Sequence, residues 1–170
     1  MDSLMVAANI RNLSLLELFY TCVANLCKIM DGRGTKIADE QHHYIEKDDY
    51  NKCIYHKRDM DATERTVIVM KDADILIEIC DSTGDFDDTS EYQLLIRLLK
   101  ERTIIDDDGS RRLRQKEEVE NPSEVLLNPS DPEATFRYKA GGKHLGYVGN
   151  VVEAVGEKSS LVIDYDYQQN

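Results

Sequence analysis

The sequence predicts an α+β fold, with a mainly helical middle held between strand-rich ends. Three observations carry this expectation. A short apolar run, Leu4-Met5-Val6-Ala7, directly follows Asp2 and is soon interrupted by Asn9 and Asn12, which suits a buried strand better than a helix. The middle of the chain shows helical spacing behind capping signals, and the last fifty residues change to Val, Ile and Tyr punctuated by Gly and Pro.

Taken in order, Ser14 followed by Glu17 has the spacing of a capping box, and Leu15, Leu18, Phe19, Cys22, Val23 and Leu26 recur at helical intervals, so a helix is expected over 15–30 and ends at Asp31-Gly32. Asp61 with Glu64 opens a second helix whose apolar positions include Ile68, Ile75 and Ile79. Asp88 with Glu91 opens a third, containing Leu94, Leu95, Leu98 and Leu99. The tract 105–120, with Asp106-Asp107-Asp108-Gly109 and then Arg111, Arg112 and Arg114, reads as an exposed connector, because charge blocks are usually solvated. Beyond Asn128-Pro129-Ser130-Asp131-Pro132 a short strand is expected over 134–138, with a turn at Gly141-Gly142. Segments 147–155 and 160–165, separated by Gly156-Glu157-Lys158-Ser159, read as a hairpin. The organisation expected is thus a first core strand at 1–10, a helical insertion at 11–120 and further core strands at 121–170.

Composition narrows the functional classes. The 170 residues carry 21 Lys and Arg against 33 Asp and Glu, a formal net charge of −12, which argues against a basic nucleic-acid coat or membrane-surface protein. The charge is uneven: residues 31–120 hold 24 acids and 15 bases, so nine of the twelve net negative charges lie there. Hydrophobic residues at 41% are enough for a packed core and exclude wholesale disorder. No run approaches the roughly 20 apolar residues of a membrane span, and the first residues lack signal-peptide order, so a cytoplasmic protein without membrane association is expected. Cys22, Cys27, Cys53 and Cys80 form no CxxC pair and are expected as reduced, buried thiols.

Several patterns could carry chemistry. A carboxylate on a strand, such as Asp2, can bind Mg²⁺ through oxygen, and paired ions of this kind activate water in phosphodiester cleavage. The stretch 135–147, TFRYKAGGKHLGY, places Arg137, Lys139 and Lys143 with His144 among Phe136, Tyr138 and Tyr147 and contains no acid, a combination suited to phosphate contact and base stacking. Alternation outward from a hairpin would give the same pattern without function. His42-His43 beside Asp39 and Glu40 is read as solvated surface, since adjacent histidines diverge on a helix and no later His completes a ligand set. Gly141-Gly142-Lys143 lacks the spacing of a phosphate loop and reads as a turn. Asp164 and Asp166 share strand parity and could share a cation; a small metal-dependent phosphohydrolase would need them to converge with Asp2.

With both ends in view, the sequence resembles a bacterial insertion-sequence transposase of the DDE class, whose catalytic core is RNase H-like. The resemblance rests on Asp2-Ser3-Leu4-Met5-Val6-Ala7-Ala8-Asn9, similar to the strand bearing that family's first catalytic Asp. It rests also on Asn128-Pro129-Ser130-Asp131-Pro132-Glu133-Ala134, similar to its SDP-(D/E)-A segment. Gly146-Tyr147-Val148-Gly149-Asn150-Val151-Val152-Glu153 and then Val162-Ile163-Asp164-Tyr165 match the next two strands. The resemblance implies a partial RNase H-like mixed sheet with a helical insertion after its first strand. It implies that Asp2 is a catalytic residue that holds Mg²⁺, that Asp131, Arg137 and Lys139 lie near DNA or the rim of the active site, and that the intact enzyme cleaves and joins DNA at mobile-element ends. The second Asp and final Glu of the triad are expected beyond Asn170, so the polypeptide alone is expected to be inactive, with a homo-oligomer or a complementary transposase fragment as partner. The alternative is a non-catalytic acidic helical module that binds a partner protein, motivated by the net charge and by a sheet whose edge could accept a strand.

Overall fold

The computed structural model describes residues 2–7, 11–56, 60–139, 141–155 and 160–169, with backbone placement alone along the first strand, the last strand and parts of the two between. The chain divides into two compact units, Leu13–Glu120 and the pair of segments Met1–Asn12 and Asn121–Asn170. The fold is α+β, with long helices in one unit and an antiparallel sheet in the other.

In the helical unit, α1 (Leu15–Gly32) starts where the sequence places a cap. The Ser14 hydroxyl accepts from the Glu17 amide at 3.3 Å and the Glu17 carboxylate accepts from the Ser14 amide at 2.8 Å, which satisfies two of the amides a helix start leaves unpaired. Leu16, Leu18, Phe19, Tyr20, Cys22, Val23, Ala24, Leu26, Cys27 and Met30 are all buried. A helix buried on so much of its circumference is the centre of its unit, and α1 packs against both of the other long helices. After it come a 3₁₀ helix (Asp39–Ile45), a single α-turn α2 (Asp49–Asn51) and a π-turn (Lys52–His56). Helix α3 (Ala62–Thr83) has its own reciprocal cap between Asp61 and Glu64. Its core stripe is Thr66, Val69, Met70, Ala73, Leu76 and Cys80, whereas the apolar positions Ile68 and Ile75 are each 41% exposed and Ile79 is half-buried. The apolar residues of this helix run all round its circumference, so the sequence leaves the phase of the buried stripe open.

Gly84 ends α3 in the left-handed region at φ 69°, with open space where a Cβ would stand. Gly84→Ala is therefore expected to cost about 1 kcal/mol through backbone strain alone, with no change in helix packing; an unchanged urea midpoint would refute this. Beyond it Phe86 is fully buried under the Arg33 guanidinium, 5.1 Å from the ring centre. Helix α4 (Ser90–Arg102) is capped by Thr89, not by Asp88 as expected. Thr89 has the extended backbone a cap requires, its hydroxyl donates to the Phe86 carbonyl at 2.7 Å, and its oxygen accepts from the Tyr92 amide at 3.4 Å.

The tract expected as an exposed connector is a hairpin, β2 (Thr103–Ile105) with β3 (Arg111–Leu113). Asp106 to Gly109 closes it, with Gly109 at φ 83°. Its charges are paired within the hairpin and back to α3: Arg111 meets Asp74 at 2.8 Å, and Arg112 meets Asp106 at 3.0 Å and Glu118 at 2.8 Å. The Arg112 guanidinium holds Glu118 down at about 2, below the ordinary carboxylate range.

In the sheet unit, β1 (Asp2–Ala7), β4 (Thr135–Lys139) and β6 (Ser160–Gln169) all pair with the long strand β5 (Gly142–Val155). Every described pairing is antiparallel, which corrects the expected mixed sheet. The physical reason is connectivity: β4, β5 and β6 follow one another through short connections, which reverse the chain and cannot join parallel neighbours. Residues Tyr147 to Val151 pair with β1 and β6 at once, so these two lie on opposite edges of β5. The stretch 156–159, expected as the hairpin connection, lies outside the described residues, as do Ala8 and Asn9. Among the described residues no helix is long and apolar enough to cross a membrane.

Candidate functional site

Register places each of the candidates on the sheet. Asp2, at the start of β1, stands opposite Val151, which on its other side stands opposite Tyr165. Asp164 and Asp166 stand opposite Val152 and Asn150, one step to either side of that row. Successive strand positions belong to opposite faces, so these two aspartates sit on positions of the parity opposite to Asp2. The backbone therefore does not gather the three into one cluster, which removes the phosphohydrolase reading.

The segment 128–134 is a compact double turn. The Asn128 side chain accepts from the Ser130 amide at 2.9 Å, the Asp131 amide donates to the Asn128 carbonyl at 3.1 Å, and the Ala134 amide donates to the Asp131 carbonyl at 3.3 Å. Two further bonds tie this turn to its own unit. The Asn128 amide group donates to the Arg11 carbonyl at 2.9 Å, and the Tyr147 hydroxyl donates to the Asp131 carboxylate. Tyr147 stands opposite Val6, so the turn sits beside the end of β1 remote from Asp2. Val125, Leu126, Leu127, Ala134 and Thr135 are buried on either side of it.

Arg137 stands opposite His144, Lys143 opposite Tyr138 and Lys139 opposite Gly142. Arg137 and Lys139 share one strand parity and Lys143 takes the other, so the three bases do not form a single row. Along β5 their positions lie seven to nine residues from Val151, the partner of Asp2. At about 3.3 Å per residue that is roughly 25 Å, far more than one phosphate group spans. The structure thus places Asp2 and the basic trio on one sheet and does not bring them together around one group.

A second cluster, in the helical unit, has no counterpart in the motifs. The Tyr20 hydroxyl donates to Asp49 at 2.5 Å, and His43 Nδ1 meets the same carboxylate oxygen at 2.8 Å. Tyr44 and the Gln41 amide both donate to Asp72, at 2.7 and 2.8 Å. Tyr50 and Tyr55 donate to Glu17 at 3.0 and 3.3 Å. The rings of Tyr20, Tyr44 and Tyr50 pack at centroid distances of 5.2 and 5.4 Å, and His43 lies 4.1 Å from Tyr44. His43 is therefore bound into a network, a correction to its reading as solvated surface, while His42 is exposed. The arrangement docks the 39–56 segment on α1 and α3. Glu17, Asp49, Tyr20, Tyr44 and Gln41 are buried, and the Glu17, Asp49 and Asp72 carboxylates accept from tyrosine hydroxyls and, at Asp72, from the Gln41 amide.

Burial and then hydrogen bonding to Asp49 and Asp72 push the Tyr20 and Tyr44 hydroxyls far above the ordinary tyrosine range, and burial with the Glu17 bond pushes Tyr50 up to about 12. A pKa raised in the folded state gives stability that is complete below the unfolded value, about pH 10, and is lost as pH rises through the folded values. Above about pH 10 tyrosinate absorbance and loss of helix are expected to rise together. Full titration of the tyrosines near pH 10 with helical ellipticity intact would disprove the buried network.

Among the described residues no group of three or more His, Cys, Asp or Glu is placed to hold a metal ion. The chain has four free cysteines, of which Cys22, Cys27 and Cys80 are buried and Cys53 is half-buried. Burial pushes the Cys22 and Cys27 thiols up to about 12, which makes them poor ligands and poor nucleophiles. No protein-family model matches the sequence, and comparison with curated proteins and with solved structures finds no match.

Proposed function

We propose that the chain carries the opening strands of an RNase H-like DDE transposase core, interrupted after the first strand by a helical insertion. The observation that supports this reading is the sheet order: β1, β5 and β6 form an antiparallel run with β5 in the middle, and Leu13–Glu120 is inserted between the first strand and the second. The residues that motivate the resemblance, in β1, in the 128–134 turn and in β5 and β6, all belong to the one sheet unit.

In this reading Asp2 supplies the first carboxylate of a Mg²⁺ site for cleavage and transfer of DNA strands at mobile-element ends, and Arg137, Lys139 and Lys143 contact phosphates along the bound DNA. Mg²⁺ would supply charge stabilisation at the phosphorus and an activated nucleophile. Register sets Val151 rather than a carboxylate opposite Asp2, and Asp164 and Asp166 take the opposite parity, so no catalytic step is assigned to this polypeptide alone. The test is reconstitution. The 170-residue chain is expected to leave element-end DNA intact in Mg²⁺, and to cleave it when combined with a polypeptide that supplies a further Asp and Glu. Asp2→Ala is expected to return the reconstituted activity to background. Cleavage by the chain alone, or reconstituted cleavage indifferent to Asp2→Ala, would overturn the proposal.

The second reading is a non-catalytic interaction module, supported by the helical unit having its own core and most of the net negative charge. Binding to a partner protein with no affinity for DNA under any combination would favour it.

A further inference from the structure

The C-terminal end of α4 carries more positive charge than its surroundings absorb. Its final residues, Arg97 to Arg102, hold three bases against the single acid Glu101, in a chain whose net charge is −12. The neighbouring arginines are engaged: Arg97 meets Glu101 at 2.6 Å, Arg111 meets Asp74 at 2.8 Å, and Arg112 meets Asp106 at 3.0 Å and Glu118 at 2.8 Å. Arg102 is half-buried, yet among the described residues its guanidinium makes no hydrogen bond and no ion pair. Burial holds it below the ordinary arginine range, and the charge of Glu101 opposes this in part. A guanidinium taken this far out of water without a counter-charge is unfavourable.

A helix C-terminus attracts bases whatever their function, because its last carbonyls are partially negative. Arg114 already serves that end. Just past β3, its amide donates to the Arg102 carbonyl at 2.8 Å, and its guanidinium donates to the Lys100 carbonyl at 3.5 Å and to the Glu118 carbonyl at 3.1 Å. Arg102 donates to no carbonyl, so the helix dipole does not account for it. With Glu101 taken by Arg97, the charges of Lys100 and Arg102 are left over. Arg102 Nε is closed to solvent and has no partner, whereas the two Nη groups are not closed off. The open edge of the fork is thus Nη1 with Nη2, and a guanidinium edge holds an oxyanion through two parallel N–H bonds.

We propose that this end of α4 binds the phosphate monoester of a small molecule, with the Nη edge of Arg102 holding two phosphate oxygens and with Lys100 and Arg114 adding charge beside it. A monoester carries close to two negative charges at neutral pH and matches the two positive charges left over, whereas a carboxylate or a phosphodiester carries one. This inference stands apart from the transposase reading and uses none of its site residues.

The test titrates the full chain with inorganic phosphate and with phenyl phosphate, against chloride at equal ionic strength, followed by phosphorus NMR line width and by Tm. A Kd of about 1 mM is expected, and in about 50 mM phosphate a rise in Tm of about 5 °C. Phosphate also stabilises folded chains by exclusion from their surface, so the rise is read as the difference from Arg102→Met, which keeps the apolar stem of the side chain. Arg102→Met is expected to bind about tenfold more weakly or worse, while its Tm in chloride equals or exceeds that of the parent, because the substitution removes a charge the fold leaves unpaired. Arg102→Lys keeps the charge and loses the fork, and is also expected to weaken binding. Lys36→Met, at an exposed lysine outside the cluster, is expected to leave Kd unchanged. Equal phosphate effects in the parent and in either Arg102 variant, a fall of several degrees in chloride on Arg102→Met, or tighter binding of an oligonucleotide carrying diesters alone than of phenyl phosphate at equal phosphate concentration would overturn the proposal.

Discussion

Phe19→Ala is expected to lower the unfolding free energy by about 3–5 kcal/mol, against a total of about 5–15 kcal/mol for a domain of ordinary stability. Phe19 lies on α1 with no exposed surface, and Val23 and Leu26, one and two turns further along the same helix, are equally closed to solvent. Because α1 is buried over most of its circumference between α3 and α4, the void left by the ring has no solvent side from which to collapse. The lost transfer free energy and the cavity therefore add. Ile68→Ala makes the control: it removes more apolar atoms than many core substitutions, yet from an exposed position, and is expected to change stability by less than about 0.5 kcal/mol. Urea denaturation of the pair decides the matter. A Phe19→Ala loss no larger than that of Ile68→Ala would mean that α1 is not the centre of the helical unit.

Asp72→Ala is expected to cost about 2–4 kcal/mol, although it removes a charged side chain that is only half-buried. The reason lies in what it leaves behind. Asp72 is the acceptor for the Tyr44 hydroxyl and the Gln41 amide, both on residues that are 2–3% exposed. Gln41 Oε1 already has no partner, so the substitution would strand a second set of buried polar atoms on the same residue. Tyr44→Phe separates the two contributions. It removes the donor together with its demand for an acceptor and leaves Asp72 bound to Gln41, so it is expected to cost only about 1 kcal/mol. Equal losses for Asp72→Ala and Tyr44→Phe would show that the hydroxyl bond, rather than the stranded donors, carries the energy.

The parts of the structure legible in the sequence were those decided by neighbours along the chain. The caps at Ser14 and Asp61 follow from residues three apart, and the strands expected at 134–138, 147–155 and 160–165 follow from composition bounded by Gly and Pro, although β5 starts at Gly142, where a turn is expected, and β6 runs on to Gln169. The cap at Thr89 is not legible because Asp88 and Thr89 are both good caps, and only the backbone turn at Phe86 chooses between them. The buried stripe of α3 is not legible because its apolar residues do not mark one face, and the hairpin at 103–113 is not because charge blocks read alike whether solvated or paired. The tyrosine and carboxylate network joins residues roughly thirty positions apart, which no local pattern encodes. As for the candidate site, residue types proposed Asp2, Arg137, Lys139 and Lys143, but the distances between them depend on strand register, which the sequence leaves unstated.

The position of the helical unit within the chain has a kinetic consequence. Pairing β1 with β5 joins residue 2 to residue 151, so that ladder cannot close until the chain between has been gathered in. Closing so long a flexible loop carries an entropy cost that grows with its length, whereas helices whose contacts are local form quickly. Once Leu13–Glu120 has condensed, the loop left to close is a compact body with short tails instead of an open coil. The first strand of the sheet is thus made at the start of the chain and placed at the end of folding, and the stability of the insertion sets how fast the sheet can be completed.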